Sequence, residues 1–197
     1  MPDQPNKKSS DWDRIWNARI AALTPILGKP SNMVYHAPIP FYLGGFADVL
    51  PFPDFVPGVT YVTAEMTGEE MGQRPNSLGQ YELMICARQE LPKAADLISR
   101  LTRYTCDAVL EAHQTMDLGT FLGDSTIRAL VFAYPRDEPV YFEFFDQHYG
   151  LLLCLGITAE ELAFGRAHGN KNLLALLKEH GVFPYTIPDR PSIPLPQ

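Results

Sequence analysis

The chain has 197 residues and a mass of 22.1 kDa, enough for one domain that buries roughly 70% of the surface its unfolded form exposes. Hydrophobic residues make up 46% of it, which excludes wholesale disorder, while 18 prolines and 14 glycines exclude a bundle of long helices. The formal net charge of −7 comes with no concentration of Lys or Arg, which excludes a nucleic-acid-tracking face and leaves room for a basic partner.

Residues 1–10 form a polar leader that holds the one basic pair, Lys7-Lys8. Ser10 is placed to cap a first helix, in which Trp12, Ile15, Trp16, Ile20 and Leu23 recur at three- and four-residue steps until Pro25 and Gly28 end it. Residues 33–57 carry five prolines around Gly44-Gly45, together with Tyr35, Phe41, Tyr42, Phe46, Phe52 and Phe55. They predict an irregular, core-packed layer of turns and short edge strands. Residues 58–66 (GVTYVTAEM) and 80–88 (QYELMICAR) predict strands separated by a Gly/Asn/Pro/Ser-rich turn. In the second, Tyr81, Leu83, Ile85 and Ala87 share one face, and Met84 and Cys86 sit centrally on the other. Such a strand belongs inside a sheet covered on both sides.

Pro92 suits the first turn of a helix whose apolar period runs to about His113. Residues 127–134, 140–145 and 150–157 predict three strands, most economically an antiparallel meander. Thr158-Ala159-Glu160-Glu161 is a capping box; the helix it opens breaks at Gly169-Asn170, and a last Leu-rich helix stops at Gly181. Without regular strand–helix alternation, the order predicts an α+β fold with a central mixed, largely antiparallel sheet flanked by helices.

Cys86, Cys106 and Cys154 are an odd set embedded in apolar runs, the pattern of buried thiols in a reducing compartment. The first ten residues hold no apolar core of a signal peptide, and the longest apolar run is far short of a membrane span. Cytoplasmic residence without membrane attachment is the expectation. The five histidines form no HExxH and no Cys/His pair at ligand spacing, so no metal or cofactor is predicted, and no phosphate-binding loop or G-x-S-x-G is present.

Three weaker features remain. Gly123-Asp124-Ser125 is superficially similar to the nucleophile block of one esterase group, but no convincing Asp-x-x-His follows it and a turn before a strand explains it as well. A hydrolase-like site around Asp124, Ser125, His113 and Glu143 would require those groups to converge. Glu143 stands among Phe142, Phe144 and Phe145, where alternating register would turn it to solvent. The proline-rich residues 187–197 contain P-x-x-P spacings that could serve an adaptor, although an arm lying on its own domain, or a disordered tail, accounts for them better.

Four blocks, in order, resemble the Suppressor of fused domain family. They are Tyr42-Leu43-Gly44-Gly45, the Tyr81-Glu82-Leu83 strand, Leu101-Thr102-Arg103-Tyr104 in the following helix, and residues 150–180 with their strand, G-I-T-A-E-E-L helix start and Leu-rich helix. The resemblance spans residues 33–186 and assigns residues 11–186 to a domain of the bacterial single-domain type. It implies a non-enzymatic α+β domain that binds a protein or an extended peptide, as the eukaryotic member does. Some bacterial relatives are suspected immunity proteins against toxins. The family's peptide-contacting acid falls in the loop before the strand near Ile127, which makes Asp124 the corresponding residue; Tyr104 and Glu143 complete the expected partner-binding set.

Overall fold

The computed structural model describes residues 7–68, 71–119 and 123–196. Helix α1 (Lys7–Leu27) runs through Pro25 in its last turn, where the Thr24 hydroxyl donates to the Ile20 carbonyl (2.7 Å) and the Gly28 N–H to that of Thr24 (3.0 Å). Ser10 lies inside this helix and does not cap it. A 3-10 turn (Phe41–Leu43) is closed by Gly44 at φ +86°, and a Cβ on Gly45 would stand 1.9 Å from the Ile39 carbonyl oxygen. The Gly-Gly pair is therefore dictated by backbone geometry.

Among the described residues, seven strands form one mixed sheet: β1 (Val49–Phe52), β2 (Val59–Thr63), β3 (Tyr81–Ala87), β4 (Thr115–Asp117), β5 (Ile127–Ala133), β6 (Tyr141–Phe144) and β7 (Gln147–Thr158). Their order is β1-β2-β3-β7-β5-β4, with β6 paired to β7; β3–β7 is parallel and the other pairs are antiparallel. The α+β fold with a largely antiparallel mixed sheet stands as expected from sequence. β3 is buried along its whole length. β1, with Pro51 in it, is an edge strand whose outer side bonds to Tyr35 and Ser31.

The predicted meander is corrected. Gly150 faces Tyr81 on one edge of β7 and Tyr141 on the other, while Leu153 faces Met84 and Ala133 in the same way. β5 and β6 therefore lie one after the other along the same edge of the twelve-residue β7, rather than beside each other. The connection between them holds Pro135 and Pro139, which do not suit a tight hairpin.

Helix α2 (Pro92–Asp107) covers one face of the sheet, burying Ala94, Leu97, Ile98 and Leu101 over Tyr61, Leu83 and Ile85. It stops short of the expected His113: Ala108 is extended, and the chain turns so that the His113 N–H reaches the Phe132 carbonyl (2.7 Å) and leads into β4. α1, α3 (Ala159–His168) and α4 (Asn170–Glu179) cover the other face. The capping box is present as read, with the Glu161 N–H donating to Thr158 Oγ1 (3.3 Å) and the Thr158 N–H to Glu161 Oε2 (3.0 Å).

Candidate functional site

A hollow of about 810 Å³ opens where β3 ends. One wall is the link from Ala87 into the start of α2, the second is Asp124 and Ser125, and the third is a strap, residues 186–189, that turns at 188–189. Each wall has a sequence reason. Pro92 begins α2 where its missing N–H has no helical role. The strap is bonded to the sheet end: the Thr186 N–H donates to the Cys86 carbonyl (2.8 Å), the Gly156 N–H to Thr186 Oγ1 (2.8 Å), and the Thr126 N–H and Ser125 hydroxyl to the Pro188 carbonyl (2.8 and 2.7 Å). Two cations, Arg88 and Lys93, and two anions, Asp124 and Asp189, line the hollow around apolar Ala87, Leu91 and Ile187. Arg88 is held in place, donating to the Gly181 carbonyl (2.9 Å) and lying 4.7 Å over the Tyr185 ring.

Farther along, the strap is locked by a buried ion pair. Arg190 and Glu161 meet twice, at 2.5 and 2.6 Å, and the Ile193 N–H donates to the same carboxylate at 3.0 Å. Burial pushes the Glu161 carboxyl up, but the Arg190 hydrogen bonds, the amides of Ile193 and Thr158 and the Arg190 charge outweigh it and hold the group below its ordinary range. The proline-rich residues thus lie on their own domain, with Ile193 buried in its core.

A second buried pair fastens α1. Arg19, 1% exposed, donates from Nη2 to the Thr67 carbonyl (2.8 Å) and approaches Glu82 only to 4.0 Å. Glu82 is fully buried and accepts from the hydroxyls of Thr63 and Thr67 and the amides of Met66 and Thr67. Burial pushes its carboxyl up to about 7 against the pull of Arg19 and those donors. Sequence reasoning passed over both pairs. The signal for Arg19 was present: residues 15, 19, 23 and 27 step along one face, and a cation stands among apolar neighbours.

The residues singled out from sequence do not gather. Asp124 is exposed on the rim of the hollow. Tyr104, 48% exposed, is in the last turn of α2, twelve residues or about 18 Å from Pro92 at its start. Glu143 is opposite His148 and faces solvent, as alternation predicted. Ile127 pairs with Thr158, so Asp124 and Glu143 are near opposite ends of β7, roughly 30 Å apart. His113 is edge-to-face with Tyr134 beside Phe132, while Ser125 bonds Ile127 at the other end of β5. Ser125, 6% exposed, is engaged with the strap, so the four groups of the hydrolase-like alternative do not converge. Among the described residues, no group of three His, Cys, Asp or Glu side chains could hold a metal.

A family model, Suppressor of fused protein (SUFU), matches residues 47–191. None of the curated proteins matches the chain. Among solved structures, the chain is similar to one in the crystal structure of the Sufu–Fu complex, with a TM-score of 0.64 and 14% identity over 84% of both chains. It is similar to a SUFU homologue from Neisseria gonorrhoeae FA 1090, with a TM-score of 0.60 and 18% identity over 91% of this chain and 97% of that one. For Drosophila Suppressor of Fused the TM-score is 0.61 and the identity 12%, over 82% of this chain and 45% of the other. At these identities the structures establish a shared fold; together with the family match, which covers the sheet, the hollow and the strap lock, the chain belongs to the Suppressor of fused protein family.

Proposed function

We propose that this chain is a non-enzymatic protein-binding domain that takes an extended segment of a partner at the hollow beside Asp124. The observation that carries the reading is the make-up of that hollow: opposed cations and anions around an apolar floor, with one wall formed by the bonded strap of residues 186–189. Such a surface suits a peptide, which offers alternating side chains and a backbone, and it draws no support for bond-breaking chemistry from converging side chains. A related chain in complex with Fu and the shared family support a protein as the partner. The net charge of −7 favours a basic one. Cytoplasmic residence belongs to the same proposal, resting on three free cysteines and on the lack of any described helix long and apolar enough to cross a membrane.

Affinity capture from the source organism at low and high salt, repeated with Asp124→Lys, tests this. The expected result is a partner whose binding falls at least tenfold with Asp124→Lys, about 1.4 kcal/mol. A partner indifferent to that change, or none at either salt, sinks the reading. The immunity-type version predicts further that deletion sensitises a strain carrying an adjacent toxin gene.

A further inference from the structure

The sheet has a second place where an extended chain can be received, and it is not the hollow. β6 pairs with β7 alone. The Leu151 N–H donates to the Val140 carbonyl (3.0 Å), so in the alternating antiparallel pattern residues 140, 142 and 144 turn their backbone groups to β7. The N–H and C=O groups of Tyr141 and Glu143 then point away from β7, and no described backbone group bonds to them.

Proteins commonly defend such an edge with proline, charged side chains, a bulge, a very short strand or a covering segment. The other two edges follow that rule: β1 contains Pro51 and is covered by Ser31 and Tyr35, and β4 is only three residues long. Among the described residues, β6 has no proline, no bulge and no backbone segment bonded along its outer edge, and the one charge it carries there is Glu143. It presents Tyr141 (44% exposed) and, in the turn just beyond it, Phe145 (54% exposed), with Glu143 between them also open to solvent. Phe145 and Asp146 hold the turn to β7 at φ +49° and +58°, a conformation that favours Asn and Gly, so an exposed aromatic ring is kept there against local preference. Residues 138–158 contain Glu138, Glu143 and Asp146 and not one Lys or Arg.

We infer that the outer edge of β6 is a docking site for an extended segment of a partner protein, about five residues long, with Lys or Arg opposite Glu143 and apolar side chains two residues to either side. Pro139 before the strand and the turn after it set that length. The basic residue meets Glu143, and the apolar ones lie against Tyr141 and Phe145 as cross-strand neighbours. A second copy of this chain does not fit, because it would set one acidic hairpin against another, each on a chain of net charge −7.

The test uses the full chain with capped nine-residue peptides of threonine carrying Ile, Lys and Ile at the third, fifth and seventh positions, and a control with Glu in place of Lys. The Lys peptide is expected to bind at least tenfold more tightly than the Glu peptide and to slow amide exchange at Tyr141 and Glu143. Glu143→Lys should reverse that preference. Glu143→Pro removes an outward N–H that β7 does not use, and it should abolish binding with little change in the urea midpoint. Asp124→Lys should leave peptide binding intact, which separates this edge from the hollow. The inference is overturned if neither peptide binds, if both bind alike, or if Glu143→Lys leaves the preference unchanged. Protection at Thr115 and Asp117 of β4 instead, or protection of Tyr141 and Glu143 by self-association without peptide, overturns it equally.

Discussion

Two buried arginine–glutamate pairs fasten peripheral segments to this sheet, and they are built differently. Arg190 and Glu161 share two contacts at 2.5 and 2.6 Å, and backbone amides from Ile193 and Thr158 fill the remaining acceptor sites. Arg19 and Glu82 stand 4.0 Å apart, Arg19 Nε and Nη1 have no hydrogen-bond partner among the described residues, and the guanidinium lies 4.9 Å over the Phe144 ring. Burial acts on both carboxyls in the same direction. Only where the arginine is bidentate and the amides converge does the charged form win.

The same substitution at both arginines gives the largest contrast. Arg190→Met strands a buried carboxylate and should cost about 3–5 kcal/mol in urea unfolding, with amide exchange opening across residues 186–193. Arg19→Met removes two orphaned nitrogens together with the one Nη2 bond to the Thr67 carbonyl and leaves a carboxyl able to take up a proton near pH 7, so its cost should stay under about 2 kcal/mol. Equal losses would break the comparison.

Acidity sharpens it next. Glu82 has a folded-state pKa above its unfolded value, so the folded chain binds the extra proton, and this group's contribution falls as pH rises from about 4.5 to about 7. Glu161, depressed, contributes above its unfolded pKa, and that contribution is lost as pH falls through the folded value. Unfolding curves between pH 5 and 8 should therefore show a decline that Glu82→Gln flattens, at most ~3 kcal/mol across the range. A slope unchanged by Glu82→Gln would count against the assignment. The smallest effect is expected at the exposed Arg100–Asp96 pair (2.8 Å), where Asp96→Asn should move stability by no more than about 0.5 kcal/mol.

What could be read from the chain followed local rules. The capping box at Thr158, the break at Gly169, the stop at Gly181 and the double-faced burial of β3 each depend on a few neighbouring residues. The readings that failed depended on distant ones. Whether β5 pairs with β6 or with β7 is decided by the length of β7, and the end of α2 by the demand of β5 for a neighbour at residues 113–117. The strap lock joins residues 29 positions apart, with no periodicity to announce it. At the candidate sites, the exposure of Glu143 was legible from alternation, whereas the free edge behind it required the full strand order.

The parallel pairing of β3 with β7 has a consequence for how the chain folds. β1, β2 and β3 can zip together from near neighbours, but Tyr81 waits for Gly150, and the Cys86 carbonyl for the amide of Thr186, a hundred residues on. Closing such wide loops comes late and slowly, since their entropy is lost before the contacts form. During synthesis, the fully apolar middle of β3 stays an open edge until β7 emerges, and its far end until the strap does. That interval, rather than the finished fold, is when this protein is most exposed to wrong strand partners.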